Sequence, residues 1–522
     1  MKLFSRMLTV LLTLALLAGT TSALAEVTYP LEDTKPITYW LVLNANVAAS
    51  STSLNETQYA AGLIERTGVA VEFIHPAVGQ QGEQFNLMIA SGKMPDIVEH
   101  NWVQGYTGGP ANAIANGLIV ELNDYLEEFA PDYLRYLQEN PHIDKMVKTD
   151  QGQYYGFTMF ILDEKMTCSY GPFLRADWLE ELGLEAPTTI DEWTTVLTAF
   201  KEKGAEVPFT FGDNASLNGL FYGGIFVGAF GTYTDYYVDG GKVLYGPAQP
   251  GYKDFVVKMN EWYNAGLIDA SFASVDNAER DANILSARSG ATSGWGNANL
   301  GSLTRAFPEH DENAKLVGVP YPALEEGQRP MFGQKRFPMD MPTTVAINAK
   351  SENIEEIIKF LNYGYTEEGY LYNNFGTEGE TYDMVDGYPL MKEFITNPAE
   401  GSMGQAWAKY ARSPYSGPFR QSPEYFEQYL NLPVLQEAVA LWAATDALDH
   451  VLPPVSISVD DGKTYNKIAA DMNNYAFEWT VQAITGAISL DEFDDFIATL
   501  NDIGLEEATR IQQDAYDRYL TR

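Results

Sequence analysis

The sequence contains only one cysteine, Cys168, among its 522 residues. A single cysteine rules out an intramolecular disulfide, and it also rules out a structural zinc site built from several thiolates. The packing of the core must therefore stabilise the fold. We expect Cys168 to be a small buried apolar side chain rather than a reactive thiol.

Basic residues are scarce, since 33 Lys and Arg stand against 71 Asp and Glu and the formal net charge is −38. Loss of the first 25 residues would remove Lys2 and Arg6 but no acidic residue, which makes the charge more negative still. A strongly negative protein repels phosphate groups. The composition therefore excludes nucleic acid and anionic lipid as expected partners.

Long apolar runs are absent apart from Met7–Gly19. This run of roughly a dozen residues is shorter than the ~20 that a membrane-spanning helix needs. It follows two basic residues and precedes Ala23-Leu24-Ala25, a pattern typical of a signal peptidase site. The sequence therefore predicts that residues 1–25 are a signal peptide and that the mature chain is exported.

Motifs for catalysis and metal binding are missing as well. The chain has no G-x-S-x-G, no G-x-G-x-x-G after a strand, no P-loop and no H-E-x-x-H, and its five histidines form no pair at metal-ligand spacing. We therefore predict no catalytic residue, no metal and no cofactor. A secreted hydrolase or lyase needs only two well-placed carboxylates, so this less favoured alternative stays open.

The apolar pattern that is present predicts an α/β fold. Residues typical of strands occur at 37–43, 69–74 and 96–99, with helical spacing of apolar residues between them. Strands that alternate with helices form parallel sheets. The pattern resumes at Thr344–Ile347, and helices dominate the C-terminus, where Ser489–Glu492 forms a capping box.

The length of the chain predicts two lobes, because a single core usually splits into domains beyond roughly 250–300 residues. The polar, proline-bounded stretch 26–36 is interpreted as a tether. The predicted N-terminal lobe comprises residues 37–155 and 335–395. The predicted C-terminal lobe comprises residues 156–334 and 396–522, so that each lobe is discontinuous in sequence.

Several short stretches, each weak alone, are specific as an ordered set. They are Leu87–Ile97 (LMIASGKMPDI), Phe173–Leu184 (FLRADWLEELGL), Met259–Asp269 (MNEWYNAGLID), Gly318–Pro322 (GVPYP), Lys359–Tyr365 (KFLNYGY) and Ala515–Tyr519 (AYDRY). Spread over nearly the whole mature chain, they resemble the LplA-like branch of the family 1 extracellular solute-binding proteins.

This resemblance implies a two-lobed clamp, like a periplasmic binding protein, whose hinge the chain crosses more than once. The clamp would hold an oligosaccharide in the cleft between the lobes, and this ligand could contain uronate units. Its closed form would dock on the permease of a bacterial ABC importer, and it would catalyse no reaction. We expect a monomer. A subunit that imports peptides or other small solutes is the alternative.

Two features depart from the family pattern. Many members are lipoproteins, but Leu16–Gly19 is followed by Thr20 in place of the cysteine that would carry the lipid. We therefore expect a periplasmic or extracellular protein without a lipid anchor. The alginate-binding relatives carry an oxygen-rich calcium loop, whereas the equivalent Leu184–Thr188 lacks the alternating Asp and Asn ligands, so no calcium is expected there.

Sugar sites combine aromatic platforms with polar groups that fix orientation. Trp295 lies between two glycines, which would leave its indole free to stack on a sugar ring. Lys335 and Arg336 form a basic pair in an acidic protein and suit the carboxylate of a uronate, although a solvated basic turn is the plainer interpretation.

Other candidates follow from position. The carboxyl ends of parallel strands face the cleft in open α/β folds, which favours residues after the first and third strands. The loop-like segment 405–421 suits a cleft wall, and Asp213 would either accept sugar hydroxyls or form an Asx turn. The predicted ligand-binding residues are Trp40, Asn44, Asn101, Trp102, Asp213, Trp295, Lys335, Arg336, Trp407, Tyr415 and Arg420.

Overall fold

The computed structural model describes residues 26–161, 163–212, 216–338, 343–412 and 416–522. The predicted signal peptide and Thr20 lie outside these ranges. The strands, numbered in chain order, are β1 Ile37–Trp40, β2 Val71–Ile74, β3 Ile97–His100, β4 Phe160–Ile161, β5 Tyr170–Arg175, β6 Phe209–Thr210, β7 Tyr236–Asp239, β8 Lys242–Tyr245, β9 Ala291–Trp295, β10 Leu316–Gly318, β11 Thr344–Ile347, β12 Tyr382–Val385, β13 Tyr388–Met391 and β14 Arg420–Gln421.

Helices connect and cover these strands. The α-helices are Ala45–Ala48, Gln58–Thr67, Gln81–Ser91, Gly109–Ala115, Leu126–Phe129, Pro131–Glu139, Pro141–Met146, Ala176–Leu182, Ile190–Lys203, Leu217–Leu220, Pro250–Asn264, Asn277–Leu285, Ser302–His310, Ile354–Asn362, Glu367–Phe375, Glu393–Thr396, Met403–Trp407, Pro423–Tyr429, Pro433–Trp442, Ala447–His450, Val459–Thr485, Phe493–Ile503 and Leu505–Leu520.

The first sheet has the strand order β11-β3-β1-β2. Strand β1 pairs in parallel with β2 and with β3, which confirms the parallel α/β arrangement predicted from the N-terminal sequence. Strand β11 runs antiparallel to β3, so the late strand closes one edge of the sheet in the opposite direction.

The second sheet has the order β10-β5-β9-β6. Its central strand β5 is buried along its whole length and runs antiparallel to both β9 and β10. The helix Ile190–Lys203 next to this sheet begins at the predicted capping box, in which Thr189 and Glu192 bond each other's backbone. Trp295 is the last residue of β9, at the end of a buried strand.

Two large apolar cores show that the protein has two lobes. One core surrounds the first sheet and draws on residues between 37 and 157 and between 345 and 372. The other surrounds the second sheet and draws on residues between 168 and 321 and between 430 and 508. The two-lobed α/β class with a helical C-terminus is therefore confirmed.

The segment 396–412 packs beside the first lobe, whereas the sequence analysis assigned it to the C-terminal lobe. Met403 and Trp407 share a small core with Phe375 and Ile395. The carbonyl of Lys409 accepts a 3.0 Å hydrogen bond from the Tyr59 amide at the start of a first-lobe helix. The lobe boundaries remain predictions, but these contacts favour a boundary after this segment.

The segment between the lobes contains a short parallel pair, β4 with β14. The amide of Ile161 also donates a 2.9 Å hydrogen bond to the carbonyl of Pro338. Met159 and Ile161 pack against Phe419 in a small apolar cluster. Three crossings of the chain therefore meet at one hinge.

Residues 26–36 pack on the first lobe, which differs from the free tether that the sequence suggested. The hydroxyl of Tyr29 donates a 2.5 Å hydrogen bond to the carbonyl of Lys359, and Thr34 donates one of 2.6 Å to Gly68. The amide of Leu31 bonds the carbonyl of Thr67 at 2.9 Å. These bonds and the edge-to-face packing of Tyr29 on Tyr363 fix the segment.

The last helix, Leu505–Leu520, contacts both lobes. It packs on the helix Val459–Thr485 and on β8 of the second lobe. At its end, Arg518 and Arg522 donate hydrogen bonds of 2.9 and 2.8 Å to Asp150 of the first lobe. The C-terminus is therefore an additional connection between the lobes.

Candidate interlobe binding site

An aromatic cluster lies at the end of β9 on the second lobe. The ring of Trp295 meets Tyr170 edge to face at 5.3 Å between centroids and lies 5.5 Å from Tyr222. Tyr170 is held in turn by a 2.9 Å hydrogen bond between its hydroxyl and Ser293. Trp295 and Tyr222 are partly exposed. The cluster, called here the Trp295 platform, thus offers ring surface to a ligand.

The residue before Trp295 has to be small because the side chain of Asn299 approaches the backbone there. The amide of Trp295 donates a 2.8 Å hydrogen bond to Asn299 Oδ1. A Cβ on Gly294 would lie only 2.8 Å from the side chain of Asn299, so a larger residue there would displace this bond. The glycine at this position therefore serves the close approach of Asn299.

The predicted basic pair lies beside this platform. The guanidinium of Arg336 is 5.7 Å from the centre of the Trp295 ring, and the side chain is exposed. The Arg336 amide is fixed by a 2.7 Å bond to the carbonyl of Thr167 in the hinge region. Neither Arg336 nor Lys335 forms an ion pair with a carboxylate of the described residues. Arg336 thus presents an exposed positive charge beside the Trp295 ring.

The first-lobe candidates divide into buried and accessible residues. Trp102 is fully buried and donates from Nε1 to the carbonyl of Val98 at 3.2 Å, so it is a core residue. Trp40 is only 5% exposed and belongs to the same apolar cluster as Trp102. Asn44 caps the next helix through the amide of Asn46 at 2.9 Å. The burial of the two tryptophans leaves little ring surface for a ligand.

His100 ends β3 at the same edge of the first lobe. Its ring stacks on Phe85 at 3.8 Å and lies edge to face with Trp40. Burial lowers the pKa of His100 to about 4, so the imidazole is neutral under physiological conditions. This edge of the lobe therefore gains no positive charge from His100.

Of the candidates in the segment 405–421, Trp407 is fully buried and donates from Nε1 to the carbonyl of Asn374 at 2.7 Å. Arg420 lies 4.6 Å over the ring of Tyr370 at the hinge and is partly exposed. Tyr415 and the earlier candidate Asp213 lie outside the described residues. Trp407 therefore belongs to the core, contrary to its predicted role.

A cavity of about 470 Å³ separates the two lobes beside β3. Asn101, predicted from its position after β3, lines it from the first lobe. The rest of the lining was not predicted from the sequence. Its polar and aromatic members include Gln104, Tyr106, Asn218, Tyr233, Asp235, Tyr465, Asn466 and Gln512. The one sequence feature that pointed to this lining was the high density of tyrosines around residue 235. Two of them, Tyr233 and Tyr236, line the cavity from the second lobe.

The cavity adjoins the Trp295 platform. A Cβ on Gly224, two residues after Tyr222, would lie 3.1 Å from the ring of Tyr233. Tyr233 itself lines the cavity and stacks on Phe332 at 4.9 Å. The turn after Tyr222 therefore lies against a residue that lines the cavity.

Over the ranges that the structure describes, no group of three or more His, Cys, Asp or Glu side chains is arranged to hold a metal ion. Among the same residues, none of the helices combines the length and the apolar character required to span a bilayer.

Two α/β lobes that enclose a cleft define the class of the protein as a two-lobed binding protein. Residues 48–371 match the family model described as bacterial extracellular solute-binding protein. The match covers more than half of the chain, so the protein belongs to this family. This confirms the relationship inferred from the sequence.

Individual relatives agree with this assignment. The chain is 24% identical to the fructooligosaccharide ABC transporter substrate-binding protein FusA of Streptococcus pneumoniae, over 95% of this chain and 93% of the relative. A solute-binding protein of Bifidobacterium longum infantis associated with a human-milk-oligosaccharide (HMO)-binding ABC transporter shares the fold with a TM-score of 0.75 at 20% identity, over 94% and 99% of the two chains. The alginate-binding protein AlgQ2 gives a TM-score of 0.72 at 24% identity, over 92% and 97%.

Proposed function

We propose that this protein is the extracytoplasmic substrate-binding subunit of an ABC importer and that it captures an oligosaccharide between its lobes without transforming it. The Trp295 platform carries this proposal, because partly exposed rings beside an exposed arginine are suited to the apolar faces and polar edges of sugars. The relatives named for oligosaccharides support the same ligand class.

A uronate-containing oligosaccharide fits the charges at the platform. Lys335 and Arg336 have no carboxylate partner among the described residues, and Arg336 is exposed beside Trp295. A guanidinium forms paired hydrogen bonds with a carboxylate. A sugar ring stacked on Trp295 would thus place a carboxylate at C5 near these cations.

Capture would act through closure of the lobes. A ligand that contacts both lobes binds the closed form better than the open form, and only this difference in affinity can shift the equilibrium. The hinge of β4 and β14 allows such a movement because it contains few strands. A permease that recognises the closed form would then receive the loaded protein.

Export follows from the predicted signal peptide, and Thr20 argues against a lipid anchor. We propose a monomeric protein in the periplasm or at the outer cell surface. The absence of a catalytic motif supports binding without turnover.

A thermal-shift screen tests the ligand class. The mature protein is heated with fructo-, galacto-, manno- and xylo-oligosaccharides, with oligogalacturonides, with alginate oligomers and with peptides. Ligand at 100 times its Kd adds about 2.7 kcal/mol to the free energy of unfolding. A shift with one glycan class supports the proposal, and unchanged glycan after incubation excludes hydrolysis. A shift with peptides alone would overturn it.

The variant Trp295→Ala connects that shift to the platform. Loss of ring stacking is expected to weaken binding of the stabilising glycan about tenfold. Phe394→Ala is the matched control, because Phe394 is an aromatic residue that is 47% exposed and does not line the interlobe cavity. Equal affinity of both variants would show that the platform does not hold the sugar.

A further inference from the structure

The interlobe cavity differs in chemistry from the Trp295 platform. Five amide side chains and four tyrosines contribute to its lining, together with prolines and aliphatic residues of 451–457. Asp235 is the single charged side chain among the described residues that line it. The cationic pair of the platform is not part of this lining.

One buried hydrogen-bond acceptor in this cavity lacks a donor among the described residues. The Asp235 carboxylate accepts a 2.7 Å hydrogen bond from the adjacent Tyr236 amide. Gln512 is 8% exposed and uses its Nε2 to donate to the Tyr465 hydroxyl, while its Oε1 has no partner among the described residues. A buried acceptor without a donor is unfavourable, so a ligand that brings donors is favoured here.

Donors are available as well. Asn218 Oδ1 accepts a 3.2 Å hydrogen bond from the Thr234 hydroxyl. Its Nδ2 protons have no acceptor among the described residues and can donate to a ligand. Asn466 and Gln104 are exposed at the cavity. Sugar hydroxyls both donate and accept, and therefore match such a mixture of amides and a carboxylate.

A carboxylate on the ligand would be disfavoured in this cavity. It would meet Asp235 with no cation among the described lining residues to offset the repulsion. Burial raises the pKa of Asp235, which shows that the protein supplies little compensation for its charge. Hydroxyl donors from a ligand would supply that compensation.

We propose that the cavity is a separate subsite that takes an uncharged, hydroxyl-bearing sugar ring through Asp235, Gln512 and the amides around them. The proposal rests on the proposed function and deepens it. An oligosaccharide that stacks on Trp295 would have to present a neutral unit at this position, whatever charge its other rings carry.

Saturation-transfer NMR on the full mature chain tests the subsite without knowledge of the natural ligand. The probes are methyl glycosides of glucose, galactose and fructose, together with the methyl glycosides of glucuronate and galacturonate. At least one neutral glycoside should receive magnetisation from the wild-type protein and should bind more tightly than the uronates.

The variant Asp235→Asn keeps the shape of the side chain and removes its charge. We expect the affinity for the neutral glycoside to fall about five- to tenfold, since hydrogen bonds to a charged group are stronger than those to a neutral one. Uronate binding should rise because the repulsion is gone. Damage to the fold would instead weaken both. Asp239→Asn, an exposed position on β7, should change neither affinity.

Three results would overturn the subsite: no transfer to any neutral glycoside, tighter binding of a uronate than of every neutral glycoside, or a parallel change for neutral and acidic probes in Asp235→Asn. The proposed function would survive each of them if oligosaccharides still stabilise the protein and Trp295→Ala removes that effect. Failure of every glycan in the thermal-shift screen would instead defeat the function itself.

Discussion

Arg412 Nη2 donates a 2.5 Å hydrogen bond to Glu99 Oε2, and the two side chains are 2% and 5% exposed. Glu99 also accepts a 2.6 Å bond from the hydroxyl of Tyr39, and Arg412 Nε donates to the carbonyl of Ser416 at 2.7 Å. This buried pair joins β3 to the segment that leads into the hinge strand β14.

Removal of one partner of this pair should destabilise the first lobe. Arg412→Met leaves the Glu99 carboxylate buried without its cation, and we expect a loss of about 3–5 kcal/mol in the free energy of unfolding measured with urea. The comparison is Arg510→Met, whose ion pairs with Glu507 and Asp514 are half exposed and should contribute little to the free energy of unfolding. Similar losses for both variants would contradict the role of burial.

The basic pair beside Trp295 should determine charge selectivity. In the double variant Lys335→Gln and Arg336→Gln, we expect the affinity for an oligogalacturonide to fall at least about tenfold, because hydrogen bonds between charged groups contribute ~1.5–3 kcal/mol. Calorimetry at two salt concentrations measures this loss. Lys242→Gln, an exposed change elsewhere on the second lobe, is the control. An equal loss for neutral oligosaccharides would refute charge recognition.

Sequence patterns pointed to Trp295 and the basic pair because their signals are local. Glycines around Trp295 and two adjacent cations in an acidic chain can be seen without knowledge of the fold. The first sheet could also be predicted from the sequence, because β1, β2 and β3 are close along the chain and their pairing follows from strand and helix periodicity. Features of this kind depend on neighbours along the chain.

Tertiary contacts decide the features that sequence patterns could not give. Trp102 follows β3 and Trp407 ends a short helix, yet each indole N–H donates to a backbone carbonyl in the interior. The cavity lining comes from distant segments, and Gln512 lies on a helix whose polar residues are otherwise typical of a solvated face. Packing within the first lobe buries the two tryptophans, and the approach of the two lobes forms the cavity.

The thiol of Cys168 should be inert in the native protein. The side chain is fully buried, and burial raises the pKa of the thiol to about 12, so the reactive thiolate is scarce at neutral pH. Ellman's reagent should label almost none of the protein before unfolding and one thiol per chain in concentrated urea. Rapid labelling of the folded protein would mean that the region around the start of β5 opens readily.

Asp150 should connect the C-terminal helix to the first lobe. Asp150→Asn weakens the bonds from Arg518 and Arg522, and we expect a loss of about 2 kcal/mol in the free energy of unfolding. Asp514→Asn removes an exposed ion pair with Arg510 on the C-terminal helix and should cost much less. If Asp150→Asn also changes the radius of gyration without ligand, the contact helps to set the separation of the lobes.

The pH dependence of stability should report on Asp235. Burial raises the pKa of its carboxyl in the folded protein above the ~3.9 of an unfolded chain. Between these two values the folded state binds more protons than the unfolded state, so stability falls as pH rises through this window. The titratable groups around Asp235 do not interfere, because burial raises the pKa of each; they are Tyr233, Tyr236, Tyr245 and Tyr465.

Asp235→Asn removes this titration and should therefore make the ligand-free protein more stable than wild type at pH 8, with the difference vanishing below about pH 4. Urea unfolding at several pH values measures both curves. Asp239→Asn should follow the wild-type curve, because its carboxylate is 58% exposed. A variant that is less stable than wild type at pH 8 would show that the Asp235 carboxylate is satisfied within the folded protein, and the cavity would then have no unmet demand for a sugar hydroxyl.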